Sequence, residues 1–138
     1  MNQRAAFLHL PLRQAGEGRE EGHGPGDITL VLRRADTFFS RLTGLLFSPP
    51  LPPGHGLLIV PCAAVHTAFM RFAIDVVFLD RVGRIKKIVP HLKPWRATAC
   101  AEAWQTLELA AGEAQRMGLT LGVSLAPNLN AFNQEAPA

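Results

Sequence analysis

Apolar residues in this chain are gathered into short runs of strand length, each cut off by a proline, a glycine or a polar turn. A helix that crosses a membrane needs roughly 18–20 consecutive apolar residues. The strongest run here, residues 74–79, already carries Asp75 at its second position, so no membrane span is expected. Strands at short, regular spacing are what such a pattern supports, and they point to a sheet that curls on itself.

Residues 28–32 form the first expected strand, with β-branched Ile28, Thr29 and Val31. Asp36 reads as a helix N-cap, followed by Phe38, Phe39, Leu42, Leu45 and Leu46 on one helical face. Prolines 49, 50, 52 and 53 stiffen the loop that follows, and the next strand, residues 56–60, is closed by Pro61. Residues 74–79 and 84–89 flank the turn Asp80-Arg81-Val82-Gly83 and read as a hairpin. Residues 104–109 alternate apolar and polar, as a half-buried strand does. Residues 110–117 suit a short helix stopped by Gly118, and residues 121–125 a last strand. Residues 62–73 and 90–103 read as loops. The expected fold is α+β and mainly β: a small, partly closed antiparallel β-barrel with two short helices.

The chain has 138 residues, 48% hydrophobic and 18% charged, which is enough for one buried core and too little for two domains. Five glycines among residues 13–27 leave no periodic apolar face there. Residues 1–27 are therefore an expected N-terminal extension and linker, 28–125 a single β-rich domain, and 126–138 a flexible tail. Residues 1–12 read equally as an added strand or a frayed end. His9 and Pro11 interrupt the apolar stretch near the N-terminus, so no signal peptide is read and a cytoplasmic location is expected.

Chemistry is densest in residues 62–75, where Cys62, His66, Thr67, Arg71 and Asp75 share one connection between strands. Cys62 and His66 are a candidate nucleophile and base, with Asp75 to orient the imidazole. The alternative is a buried thiol and a hydrogen-bonded loop histidine. Cys62, His66 and Asp75 are also metal-ligand types, with His55, His91 or Cys100 as remote additions. Their spacing matches no tight metal motif, and no metal or cofactor is expected. Two cysteines are too few for a disulfide framework, and no C-x-x-C occurs. No glycine-rich phosphate loop sits between a strand and a helix. Arg71 and Asp75 read as an ion pair or as ligand contacts. Glu108, between Leu107 and Leu109, reads as part of a solvated strand face, relevant to function only if that face lines a barrel mouth.

The net charge of +3 has a location. Residues 81–96 hold six cations (Arg81, Arg84, Lys86, Lys87, Lys93, Arg96) and no acid, which leaves the rest of the chain three negative charges in excess. Trp95 lies within that stretch. Cations interleaved with an aromatic suit single-stranded nucleic acid, and they equally suit a solvated hairpin face.

Phe69-Met70-Arg71 followed by Ile74-Asp75-Val76-Val77-Phe78-Leu79-Asp80 resembles the signature of the domain of unknown function 192 family. Further landmarks fall in register: Arg41-Leu42-Thr43-Gly44-Leu45-Leu46, Gly56-Leu57-Leu58-Ile59, Leu107-Glu108-Leu109-Ala110-Ala111-Gly112, and Gly118-Leu119 with Gly122. The resemblance covers residues 28–125 and implies a small, β-rich, barrel-like domain with no established activity. Phe69 stands where the family usually has Trp, Arg71 where it has Lys, and Phe72-Ala73 where it has Asn-Thr. Relatives in that family are often exported, a feature with no counterpart read here.

The function expected is a non-enzymatic binding or accessory module. Its ligand set is His66, Thr67, Met70, Arg71, Asp75 and Glu108, its partner a small polar or anionic ligand or a peptide, and Asp75 orients Arg71. The alternatives are a hydrolase or transferase using Cys62 and His66, and weak single-stranded nucleic-acid binding through residues 81–96.

Overall fold

The computed structural model describes residues 6–10, 28–35 and 50–125. Its strands are β1 (Ala6–Leu10), β2 (Ile28–Ala35), β3 (His55–Ile59), β4 (Ala64–His66), β5 (Ile74–Leu79), β6 (Ile85–Leu92), β7 (Ala97–Ala99) and β8 (Gln105–Ala110). One short helix, α1 (Glu113–Arg116), follows β8. Six strands form one sheet in the order β1-β2-β3-β8-β5-β6, and β4 and β7 form a separate two-stranded ribbon.

Alternation along the three central strands sorts their side chains onto two faces. Leu58, Val77, Leu79, Leu107 and Leu109 lie on one face with Leu30 and Leu32, packed against Ala114, Met117, Leu119 and Leu125 from the end of the domain. Leu57, Ile59, Ile74, Val76 and Phe78 lie on the other, packed against Val65 of the ribbon, Met70 and Leu92. The sheet is thus the middle layer of the described structure. Gly56 reflects how tightly it closes: a Cβ there would meet Leu107 and Leu32 side-chain carbons at 2.9 Å.

Several expectations are corrected. The sheet is open, with β1 and β6 at its edges, and no closed barrel forms among the described residues. Closure would need free ladder groups on β6. Its Ile85 instead bonds Val123 and Gly122, and Pro90 has no N–H to offer. The sheet is not wholly antiparallel, because β2 and β3 run parallel. Residues 6–10 pair with β2 as an added strand. Of the two expected helices, the one starting at Asp36 lies outside the described residues, as do the linker at 13–27 and the tail at 126–138. The other shrinks to one turn, because Ala110 still belongs to β8 and Gly112 takes a left-handed φ of 90°. Residues 121–125 make a single bridge, Arg84 to Ser124, and no strand. The segments read as loops contain β4, β7 and the last residues of β6. Strand β8 is buried along both faces rather than one.

Candidate functional site

The segment from 62 to 73 leaves β3 and returns to β5, and its backbone is organised around Thr67. That residue is fully buried. Its N–H donates to the Arg96 carbonyl at 2.8 Å, and its own carbonyl accepts from Met70 at 3.1 Å and Trp95 at 3.0 Å. Its hydroxyl donates to the Lys93 carbonyl at 2.6 Å and accepts from the Arg96 N–H at 2.9 Å. One residue therefore fastens two loops that lie far apart in the chain. Just beyond it on either loop stand Phe69 and Trp95, both left-handed, with φ of 65° and 62°. Bulky side chains rarely hold that conformation. Their rings meet at 4.6 Å between centroids, tilted by 58°, yet remain 70% and 60% exposed.

Basic residues flank this pair in the sequence of both loops. His66, Arg71, Lys93 and Arg96 are all exposed. Arg96 turns its guanidinium back onto the Trp95 carbonyl at 3.1 Å. Residues 63–74 and 81–101 contain no acid. Elsewhere in the basic stretch three of the charges are engaged internally. Lys86 pairs with Asp80 at 3.7 Å, Lys87 donates to the Ala99 carbonyl, and Arg81 lies 3.8 Å from the centre of the Trp104 ring.

The candidate residues do not converge on one point. His66 is exposed on β4 opposite Ala97. The half-buried Cys62 thiol donates to the Ala64 carbonyl at 3.1 Å, and no hydrogen bond joins it to His66. Met70 is 8% exposed and packs into the core with Val65, Ile74 and Leu92. Asp75 is fully buried and makes no ion pair with the exposed Arg71. Its oxygens instead accept from His91 N–H and Ala114 N–H, both at 2.9 Å. The first bond arises from a bulge. Ile74 pairs with Leu92 and Val76 with Val89, so Pro90 and His91 face Asp75 together. His91, with φ of 50°, turns its N–H toward the carboxylate. The second bond caps α1 from a distance, satisfying an N–H that the helix itself cannot pair.

Glu108 is the larger surprise. It was expected on a solvated face, but the β4–β7 ribbon and its loops pack against that face, and Glu108 is 5% exposed. Leu57 and Val76 flank it across the sheet. No hydrogen bond or ion pair from a described residue reaches its carboxylate. Burial pushes its pKa up from 4.5 to about 7. Glu113 is also buried, and there a fork from Arg116 and the Gly54 N–H hold the carboxyl below its usual range.

Sequence reasoning passed over Phe69 and Trp95 as a pair. The available signal was an aromatic beside Pro94 and another at the aromatic position of the family-like motif. Neither reveals that the two meet.

The described residues thus form a central open sheet with a ribbon on one face and a short helix on the other. A family model for DUF192, described as an uncharacterised ACR, matches residues 21–126, and the chain belongs to that family. UPF0127 protein PF1050 of Pyrococcus furiosus is 37% identical over 75 residues, covering 51% of this chain and 62% of its own length. UPF0127 protein PH1112 of Pyrococcus horikoshii is 39% identical over 71 residues, covering 47% of this chain and 58% of its own. The chain thus spans about three fifths of the length of these relatives. A solved protein of unknown function from Novosphingobium aromaticivorans shares the fold at a TM-score of 0.65 and 21% identity, covering 73% of this chain and 78% of its own. A Sinorhizobium meliloti protein named as a candidate transcription regulator does so at 0.63 and 24%, covering 68% and 78%.

Proposed function

We propose that this chain is a non-enzymatic binding module whose site is the surface made by the 62–75 loop and the loop before β7. Its ligand is anionic. His66 and Arg71 keep the ligand-contacting role, joined by Phe69, Lys93, Trp95 and Arg96. Thr67 and Met70 act from beneath, as the hub and the packing that hold the surface in shape.

One observation carries this reading. Two large aromatics sit in left-handed backbone with most of their area in water. Strain of that kind costs about 1–3 kcal/mol per residue and tends to persist where function needs it. The acid-free stretches around them supply the charge preference.

The test uses Trp95 emission in a Trp104→Phe background, titrated at low salt with inorganic phosphate, a glutamate hexapeptide and ring-bearing anions. At least one anion is expected to give a saturable response, weakened about tenfold or more by His66→Ala or Arg71→Ala with the urea midpoint unchanged. Silence toward every anion overturns the reading.

A further inference from the structure

We infer that the Phe69–Trp95 pair is a stacking platform for a nucleobase, with the adjoining phosphate taken by the cations of the same two loops. This rests on the reading of that surface as an anion site and names the class of anion: a nucleotide, free or within a single strand.

Three features select a flat ring over a simple anion. The first is area. The rings bury little of themselves against each other, so aromatic surface remains for a third ring to cover. Every base has a π-face, and a base stacked on an aromatic side chain is a recurring mode of single-strand binding. The second is preorganisation. Both rings hang from the five hydrogen bonds of buried Thr67, so a base meets a surface already in place rather than two side chains that must first be ordered. The third is the position of the charge. Arg96 is pinned at the Trp95 carbonyl, and the Lys93 ammonium has no partner among the described residues. A phosphate one sugar away from a stacked base falls within reach of long cationic side chains flanking the ring.

The rings also bear on the competing partner for an aromatic and basic surface, an anionic lipid bilayer. Anchoring in the headgroup layer scales with the apolar area that can be buried there, which a broad apolar face supplies. Phe69 and Trp95 instead lean on each other at 4.6 Å.

The experiment uses the full chain carrying Trp104→Phe, with Trp95 as the only tryptophan. The probes are uridine monophosphate, uridine, ribose 5-phosphate, an eight-residue oligothymidylate and vesicles rich in phosphatidylglycerol. The expected result is saturable quenching by uridine monophosphate, with uridine and ribose 5-phosphate each at least about tenfold weaker. Affinity that rises with chain length and falls with salt identifies a single strand as the source; equal affinity for monomer and octamer identifies a free nucleotide. Trp95→Ala and Phe69→Ala, followed by anisotropy of a labelled octamer, are expected to lose about tenfold or more. Both side chains are exposed, so a matching circular-dichroism spectrum and urea midpoint show that the loss is not unfolding. Ribose 5-phosphate binding as tightly as the nucleotide overturns the inference while the anion-site reading stands. Vesicle binding without nucleotide binding overturns it in favour of a lipid surface. No response to any anion overturns both.

Discussion

Asp75 and Glu108 sit on adjacent strands, one step apart in register, and each is almost wholly out of water. They face opposite sides of the sheet. On its side Asp75 meets a bulge and the first turn of α1, and each carboxylate oxygen receives a backbone N–H. On the other side Glu108 meets the apolar underside of the ribbon and receives nothing from the described residues. Equal burial therefore produces two different groups. One is a structural acceptor that organises distant backbone. The other is an acid that stays protonated close to neutral pH. What separates them is the supply of donors, since a buried carboxylate without them favours its neutral form.

The largest expected effect falls on Asp75. Asp75→Ala strands two buried N–H groups and removes the remote cap of α1, for a loss of about 3–5 kcal/mol. Asp75→Asn keeps an acceptor for one of the two donors and should lose roughly half as much. Urea denaturation measures both, and a cost for Asp75→Ala below about 1 kcal/mol breaks the comparison.

Glu108 comes next, and its sign is opposite. Folding raises its pKa from 4.5 to about 7, so between those values the folded state holds a proton that the unfolded chain has released. Stability from this group is full below pH 4.5, declines as pH rises toward 7, and is flat above. At about 1.4 kcal/mol per pKa unit the decline amounts to roughly 3 kcal/mol. Glu108→Gln should flatten that part of the stability curve, measured as urea midpoints across the same window. A variant that keeps the slope assigns it to another group.

The smallest effect extends the comparison to a neutral side chain. Thr67 resembles Asp75 in being buried and fully bonded, but it carries no charge. Thr67→Val leaves the Lys93 carbonyl and the Arg96 N–H without their hydroxyl partner, at a cost of about 1–2 kcal/mol. Hydrogen exchange should quicken at Trp95 and Arg96 and leave the central strands unaffected. Faster exchange throughout β5 and β8 would show that Thr67 supports the sheet rather than the loops.

The main strands were legible because their residues carry the signal locally. The runs at 28–32, 56–60, 74–79 and 104–109 each fall within or against a strand of the sheet. The parallel pairing of β2 with β3 was not legible, since nothing within either run reports the direction of its neighbour. The fate of Glu108 shows the same limit more sharply. Alternation of Leu107, Glu108 and Leu109 correctly separates the two faces, but it is silent on whether the second face is covered. The cover comes from β4 and β7, whose strand residues include Ala64, Ala97 and Ala99, and alanine gives no strand signal. The placement of the candidate residues was half legible. His66 and Arg71 lie on the surface as their chemistry suggests, whereas Thr67, Met70 and Asp75 turned inward because tertiary partners at residues 91–96 and 114 claimed them.

The capping of α1 by Asp75 has a consequence for the order in which the molecule assembles. A helix of one turn has no independent existence in water. Here the group that completes it arrives from a strand 39 residues earlier in the chain. The last stretch of the domain thus behaves as a latch: it can close only on a sheet already built, and its closing reports that β5 and the bulge beside it are in place.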